Sequence, residues 1–182
     1  MASLFTHSFV ALAAWKVYSR QKMPARFWLL SVLCAILPDS DAMFHYFRVE
    51  YGTFFGHRGI THSLPFALFV SLMVVLSTFH KIPPGTKQWW SMVLYFFAVT
   101  ASHPVLDAMT NGGLGIPFLL PFDDTRIFFP WRPIRSSPIG IRSFFTSRGI
   151  EVISTEIMYV WIPVAIMTFL VILYRKNIKS GL

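Results

Sequence analysis

Apolar positions along this chain fall into runs separated by short polar breaks. Residues 64–79 (LPFALFVSLMVVLSTF), 89–102 (WWSMVLYFFAVTAS) and 157–174 (IMYVWIPVAIMTFLVILY) contain no Asp, Glu, Lys, Arg or His. A shorter run covers 27–38 (FWLLSVLCAILP), and 3–18 is a weaker amphipathic segment before it. A helix needs about 20 apolar residues to cross a bilayer, and shorter spans are accommodated by interfacial ends or local thinning. The pattern predicts five helices, over about 3–18, 26–38, 61–80, 88–109 and 152–174. Two connections are longer, 39–60 and 110–151. The second is rich in Pro, Gly, Arg and aromatics, too broken for a transmembrane helix, and is expected to form an interfacial cap. The expected fold is an all-α polytopic membrane bundle, one domain over 1–182.

Composition supports that class. Hydrophobic residues make up 54% and charged residues 13%, against about 25% charged in a typical soluble protein, and mean hydropathy is +0.55. The first Lys or Arg is Lys16, so the opening segment lacks the basic start of a cleaved leader and is expected to stay as a helix. Net charge is +8, but the cations are split among loops rather than gathered on one face, which argues against a nucleic-acid partner. The single Cys34 excludes an intrachain disulfide and a four-thiolate zinc site.

Alternating helix direction brings His7, Asp39, Asp41, His57, His62, His103, Asp107, Glu151 and Glu156 to one level. The opposite level carries Lys16, Arg20, Lys22, Arg26, Lys81, Lys87, Arg175, Lys176 and Lys179 without an acid. The positive-inside tendency then places the basic end in the cytoplasm and the acidic end on the outer face.

Ionisable groups at membrane depth are costly, about 2.5–3.5 kcal/mol each at a helix centre, and need partners. His103 and Asp107 are i and i+4, on one helix face. Asp107 at a helix C-terminal end opposes the macrodipole, which a cation would reverse. A His–Asp hydrogen bond ordering the helix end is the plainer alternative. Asp39 and Asp41 follow the second run, and spacing does not decide which of them ligates. His57 and His62 flank Gly59, with His57 in the loop, His62 at a helix start and Thr61 as its N-cap. His7 faces the same layer. Glu151 and Glu156 suit the N-terminal dipole of the last helix as caps. His45 and His80 read as interfacial residues.

In this order, T-H-S, L-P-D-x-D, H-R-G-x-T-H-S and H-P-x-L-D-x-x-T resemble the family of LexA-regulated inner-membrane metal-dependent hydrolases (YdjM-like), over about residues 5–111. That resemblance implies a bacterial inner-membrane protein with a hydrolase-type metal site. A more distant similarity is to zinc-dependent phospholipases C and single-strand-specific zinc nucleases. Their early ligand order matches His7, Asp39 or Asp41, His57 or His62, and His103 with Asp107. Their later histidines and terminal tryptophan ligand have no counterpart here, so one or two metal ions are implied rather than three.

The expected function is membrane-bound hydrolysis of a lipid or lipid-linked phosphoester by metal-activated water. Histidine and carboxylate ligands suit Zn²⁺, with Mn²⁺ or Fe²⁺ as alternatives. Whichever of Asp39 and Asp41 does not ligate is the expected base, and Arg58, Arg126, Arg132 and Arg135 are expected to clamp phosphate. Two rivals come from other classes: a metal or ion transporter, and a non-catalytic assembly protein with a structural metal.

Overall fold

The computed structural model describes residues 1–19, 23–138 and 141–180. Arg20 and Lys22 lie outside the described residues, as do the side chains of His45, Arg142 and Lys179. Helix α1 (Leu4–Tyr18) is capped by the Ser3 hydroxyl, which accepts from the Thr6 N–H at 3.4 Å. Helix α2 (Ala25–Ile36) continues into a 3₁₀ segment, Leu37–Phe47. A single 3₁₀ turn, Ile60–His62, leads into α3 (Leu64–Thr78). Helix α4 (Lys87–Ala108) begins at Thr86, whose hydroxyl accepts from the Trp89 N–H at 3.2 Å. The short α5 (Ile141–Phe144) precedes α6 (Ser147–Glu156), which runs through a π-helical turn, Ile157–Trp161, into α7 (Ile162–Ser180). Among the described residues there is no strand, only isolated bridges between Thr110 and Ile134 and between Ile116 and Ile127.

Three boundaries differ from expectation. The second helix does not stop at Pro38, because the chain tightens to 3₁₀ geometry and carries Asp39 and Asp41 with it. The fifth begins at Ser147 rather than 152, with Gly149 tolerated because a side chain there would collide with the Phe144 carbonyl. Helix α3 is capped by Ser63, which accepts from the Phe66 N–H at 3.2 Å, and not by Thr61, which serves the site instead.

Helix α4 is the axis of the bundle. It packs against α1, α2 and α3, while α1 also packs on α2 and α7. Phe27 is fully buried at the centre of a ring cluster, with Tyr18, Phe79, Tyr95 and Phe96 at centroid distances of 5.0–5.8 Å. Ser31 bonds the Tyr95 hydroxyl at 2.8 Å and Ser91 that of Tyr18, so both phenol tips in this cluster are satisfied. Cys34 packs nearby, buried and unbridged.

Outward faces are apolar. Leu68, Phe69 and Met73 on α3, Leu94 on α4, and Ile166, Met167, Phe169 and Leu170 on α7 are all well exposed. An exposed apolar surface of this extent is a lipid or partner contact rather than a water-facing one. Two continuous helical stretches, Ala25–Phe44 and Ser147–Ile178, are long and apolar enough to cross a membrane, and Leu64–Thr78 is apolar but shorter.

The two ends of the bundle differ in chemistry, as helix alternation requires. At one end Arg175 donates to the Val17 carbonyl and Tyr18 bonds Ser91 at 3.1 Å. At the other, residues 108–137 fold back as a cap. The Leu64 N–H reaches the Phe118 carbonyl at 2.8 Å, Phe129 reaches Ala108 at 3.1 Å, and Ser137 reaches Met1 at 2.9 Å. Phe27→Ala should remove the centre of the aromatic cluster and lower stability by about 3 kcal/mol, read by equilibrium unfolding in detergent, without changing metal content. No change in stability would show that the ring cluster does not hold the bundle.

Candidate metal centre

Each polar group of the capped end is set there by a local sequence device. In α4, His103 and Asp107 share a face one turn apart, and Pro104 between them has no N–H to close the helical bond onto Thr100. One turn earlier, the Thr100 hydroxyl donates to the Phe96 carbonyl at 2.8 Å. In the 3₁₀ segment, three residues make a turn, so Asp39 and Asp41 point about 120° apart rather than to one side. The His57–His62 loop closes on itself: Gly59 N–H reaches the Gly56 carbonyl at 2.8 Å, and a side chain at Gly59 would collide with the carbonyls of Thr53, Phe54 and Gly56.

His62, His103, Asp39 and Asp107 come together with ligand atoms within 4.8 Å of one another. The Nε2 atoms of His62 and His103 are 3.3 Å apart. Asp39 Oδ1 lies 3.3 Å from His103 Nε2 and 3.7 Å from His62 Nε2, and Asp107 Oδ2 lies 3.8 Å from His62 Nε2. Two ligands bonded to one zinc ion at about 2.1 Å and the tetrahedral angle stand about 3.4 Å apart. The observed separations match that spacing.

Orientation distinguishes this from a network of hydrogen bonds. His103 Nδ1 is 2.8 Å from the Ala35 carbonyl and must donate to it, which leaves its Nε2 as a lone pair facing the cluster. His62 Nδ1 is 3.1 Å from Asp41 Oδ2, which fixes its tautomer the same way. With both imidazoles neutral, as metal ligation requires, two inward lone pairs then face each other beside a carboxylate. Both oxygens of Asp39, and Oδ2 of Asp107, are buried without an aligned donor, although imidazole nitrogens stand at ion-pair distance. Acceptors pointing at acceptors are unfavourable unless a cation sits among them, so the donor set fits a divalent metal.

Asp41 has a different task. Its Oδ1 meets His57 Nδ1 at 2.7 Å, and its Oδ2 accepts from the Thr61 hydroxyl at 2.5 Å as well as facing His62. With both oxygens occupied, it orients the two histidines, as carboxylates behind metal-bound imidazoles commonly do. A second group, Asp39, Asp41, His57 and His62, also has its ligand atoms within 4.8 Å. Tyr51 lies edge-on to His57 at 5.2 Å, and burial pushes its phenol pKa up, so it stays protonated at neutral pH.

His7 stacks on His103 at a centroid distance of 3.7 Å, with Nε2 3.6 Å from Asp107 Oδ1. It borders the four-residue group without belonging to it. Of the seven residues singled out as ligands, five are fully buried; Asp39 and His57 keep 9% and 5% exposure.

The arginines are placed differently from expectation. Arg58 is fully buried in the left-handed backbone region, φ +61°, and is committed to the cap. Its Nη1 donates to the Gly112 carbonyl at 3.0 Å and to that of Leu114, its Nη2 to the Thr110 hydroxyl at 3.1 Å, and its Nε stands 3.6 Å from Asp107 Oδ2. Arg126 Nη1 reaches the carbonyls of Arg58 at 2.9 Å and Gly115 at 3.1 Å, tying cap to loop. Both guanidiniums hold backbone oxygens where a phosphate clamp was expected. Arg132 is exposed over the Phe128 ring at 4.7 Å, and Arg135 is exposed on the cap. Among the described residues, no hydrogen bond or ion pair joins these two to the cluster.

Glu151 is exposed, but Glu156 is fully buried and does not act as a simple cap of its own helix. Its carboxylate accepts from the Ser3 N–H at 2.5 Å and the Ser3 hydroxyl at 2.6 Å, on the N-terminus of α1. The neighbouring Ala2 N–H donates to Asp107 Oδ1 at 2.6 Å. Motif spacing carries no sign of these two contacts, since they join residues more than 100 positions apart.

Comparison with known proteins agrees with this arrangement of motifs. The model of the YdjM inner membrane protein family matches residues 1–179. Among characterised chains, the inner membrane protein YbcI of Escherichia coli (strain K12) is 36% identical over 163 residues, covering 90% of this chain and 92% of that protein. No solved structure matches the chain. By the extent of that match, from the first helix to the last, the chain belongs to the YdjM family of inner membrane proteins.

Proposed function

We propose that this protein is a metal-dependent hydrolase of the inner membrane that cleaves the phosphoester of a lipid or lipid-linked substrate. The observation that carries the reading is the pair of Nε2 atoms of His62 and His103, 3.3 Å apart and turned inward by acceptors on their other nitrogens, beside the undonated carboxylate of Asp39. Asp39, His62, His103 and Asp107 would hold the cation, with Zn²⁺ the best match and Mn²⁺ or Fe²⁺ as alternatives. A divalent ion held there supplies acidification of water and polarisation of a phosphoryl oxygen.

The remaining chemistry belongs to the chain. Asp39 is the carboxylate of the cluster with residual exposure, so it is the group that meets water and substrate. The base role expected of the non-ligating acid does not pass to Asp41, whose two oxygens are taken by His57, Thr61 and His62. We assign the proton released as the water oxygen bonds to phosphorus to the Asp39 oxygen that does not hold the cation. The bond from phosphorus to the ester oxygen breaks, and that proton leaves with the alcohol. Asp41 keeps His57 and His62 in register. Arg58, at 3.6 Å, balances the charge of Asp107. Arg132 and Arg135, exposed at the cap, are assigned to the phosphate or its surrounding headgroup, where a planar guanidinium bonds two oxygens at once.

Near-complete burial of the cluster favours one other reading, a metal that only fastens the helices, since structural sites are closed. Phosphate release from phosphatidic acid and undecaprenyl phosphate by the purified protein separates the two. Release should occur, stop on chelation and return with metal, and His103→Ala should abolish it while the protein stays folded. No release from any of these lipids, with His103→Ala unfolding the bundle, would establish the structural role and end the catalytic one. Asp41→Asn should weaken metal affinity about 10–100-fold, measured by competition with a fluorescent chelator, whereas unchanged affinity would remove Asp41 from the site's support.

We further propose that the helices alternate across the membrane with the metal end outside, because the opposite end concentrates the lysines and has no acid. In intact cells an impermeant maleimide should label Thr125→Cys and not Lys81→Cys, and the reverse pattern would invert the assignment.

A further inference from the structure

One cavity reaches the metal cluster. About 310 Å³ of space lies between the first turn of α1, the 3₁₀ segment and the end of α5, and Asp39 lines it together with Leu4, Phe5, Ala42, Phe144 and Phe145. Met1, Ser3, Ser137 and Pro138 complete the lining, but most of the wall is hydrocarbon and aromatic ring. Phe5 and Phe144 touch at a centroid distance of 5.8 Å, while Phe5 and Phe145 are 55% and 77% exposed. The cavity therefore joins an apolar surface to the exposed edge of the cluster.

This arrangement restricts what can arrive. A small water-soluble phosphate ester would leave water for apolar walls without recovering its hydrogen bonds. An ester whose phosphate carries a hydrocarbon chain presents matching chemistry at both ends. The volume lies at the lower limit of cavities that enclose small organic ligands, about 300 Å³, which suits one chain rather than two side by side. Resting on the hydrolase reading, we infer that the site takes a single-chain phosphorylated amphiphile, with phosphate at Asp39 and the head-proximal chain between Phe5, Ala42 and Phe144.

The test uses full-length protein in nanodiscs and dodecyl phosphate bearing a diazirine on a carbon near the phosphate. Photolysis should attach the label to the Leu4–Phe5 and Phe144–Phe145 peptides. Ala42→Trp, which fills the cavity, should cut that labelling about tenfold, equivalent to about 1.4 kcal/mol of binding, and leave metal content and labelling of α7 unchanged. Phe145→Lys, at an exposed position where folding is not at stake, should act in the same direction. Unlabelled dodecyl phosphate should compete at lower concentration than a two-chain phosphatidic acid. Cavity labelling that is absent, or insensitive to both substitutions, overturns the inference, and equal competition by the two-chain lipid overturns its single-chain part. Labelling without phosphate release would retain this binding site and reject the hydrolase reading. Release from p-nitrophenyl phosphate as fast as from dodecyl phosphate, unaffected by Ala42→Trp, would do the opposite.

Discussion

Asp107 sits in the last turn of α4, where the helix dipole already presents partial negative charge, and it is completely buried. Both circumstances disfavour a carboxylate: the dipole by roughly 0.3–1 kcal/mol and desolvation by more. The rest of the capped end is arranged around relieving that cost. The Ala2 N–H donates to one oxygen, His7 stands beside the same oxygen, and Arg58 and His62 approach the other. These partners come from before α1, from α1 itself and from the loop ahead of α3. A single acid thus draws two separated stretches of chain, residues 2–7 and 58–62, onto the end of α4. Neutralising it without a cation would leave His62, His103 and Asp39 gathered around nothing that needs them.

The supporting layer follows the same electrostatic rule. Arg58 is an arginine in a left-handed backbone conformation and fully buried, a position that costs energy unless its donors are used. Both terminal nitrogens are used, on Gly112, Leu114 and Thr110, while Nε faces Asp107, so the residue that balances Asp107 also fastens the cap. Close approach to that guanidinium is possible because position 113 is glycine, at φ +77°, where a side chain would press on Arg58 and on the Tyr51 hydroxyl. Glu156 repeats the principle at the other side of α1: a buried carboxylate set on a helix N-terminus, where the dipole favours it, holds Ser3 and hence the start of α1 in place.

The helices and the convergence of His7, Asp39, Asp41, His57, His62, His103 and Asp107 were legible in the sequence, because apolar runs of alternating direction must bring every second end to one level. The division of labour within that group was not. Spacing left Asp39 and Asp41 equivalent, and only the 3₁₀ turn separates them, turning one toward His103 and the other toward His57 and Thr61. Arginine in a polar loop suggested phosphate binding for Arg58 and Arg126, yet their targets are backbone carbonyls of a cap without regular structure, which no periodicity reports. The contacts of Ala2 and Ser3 were likewise invisible, since the groups that matter are backbone N–H donors common to almost any residue.

Burial and reactivity pull in opposite directions at such a cluster, and the structure resolves the tension at one residue. His7, Asp41, His62, His103 and Asp107 have no exposure, so their separations are fixed by packing from all sides. Asp39 belongs to the same group but lies on the segment where α2 tightens from α-helical to 3₁₀ geometry, at the edge of the bundle, and it faces a cavity walled by Phe5 and Phe144. A cation shared by these residues would be shielded by low-dielectric surroundings on most sides, which strengthens its pull on any ligand, and approachable from one. That approach runs through hydrocarbon rather than water. On the proposed reading, the same packing that offsets the cost of a polar cluster in a membrane protein would also favour ligands that already live among lipid chains.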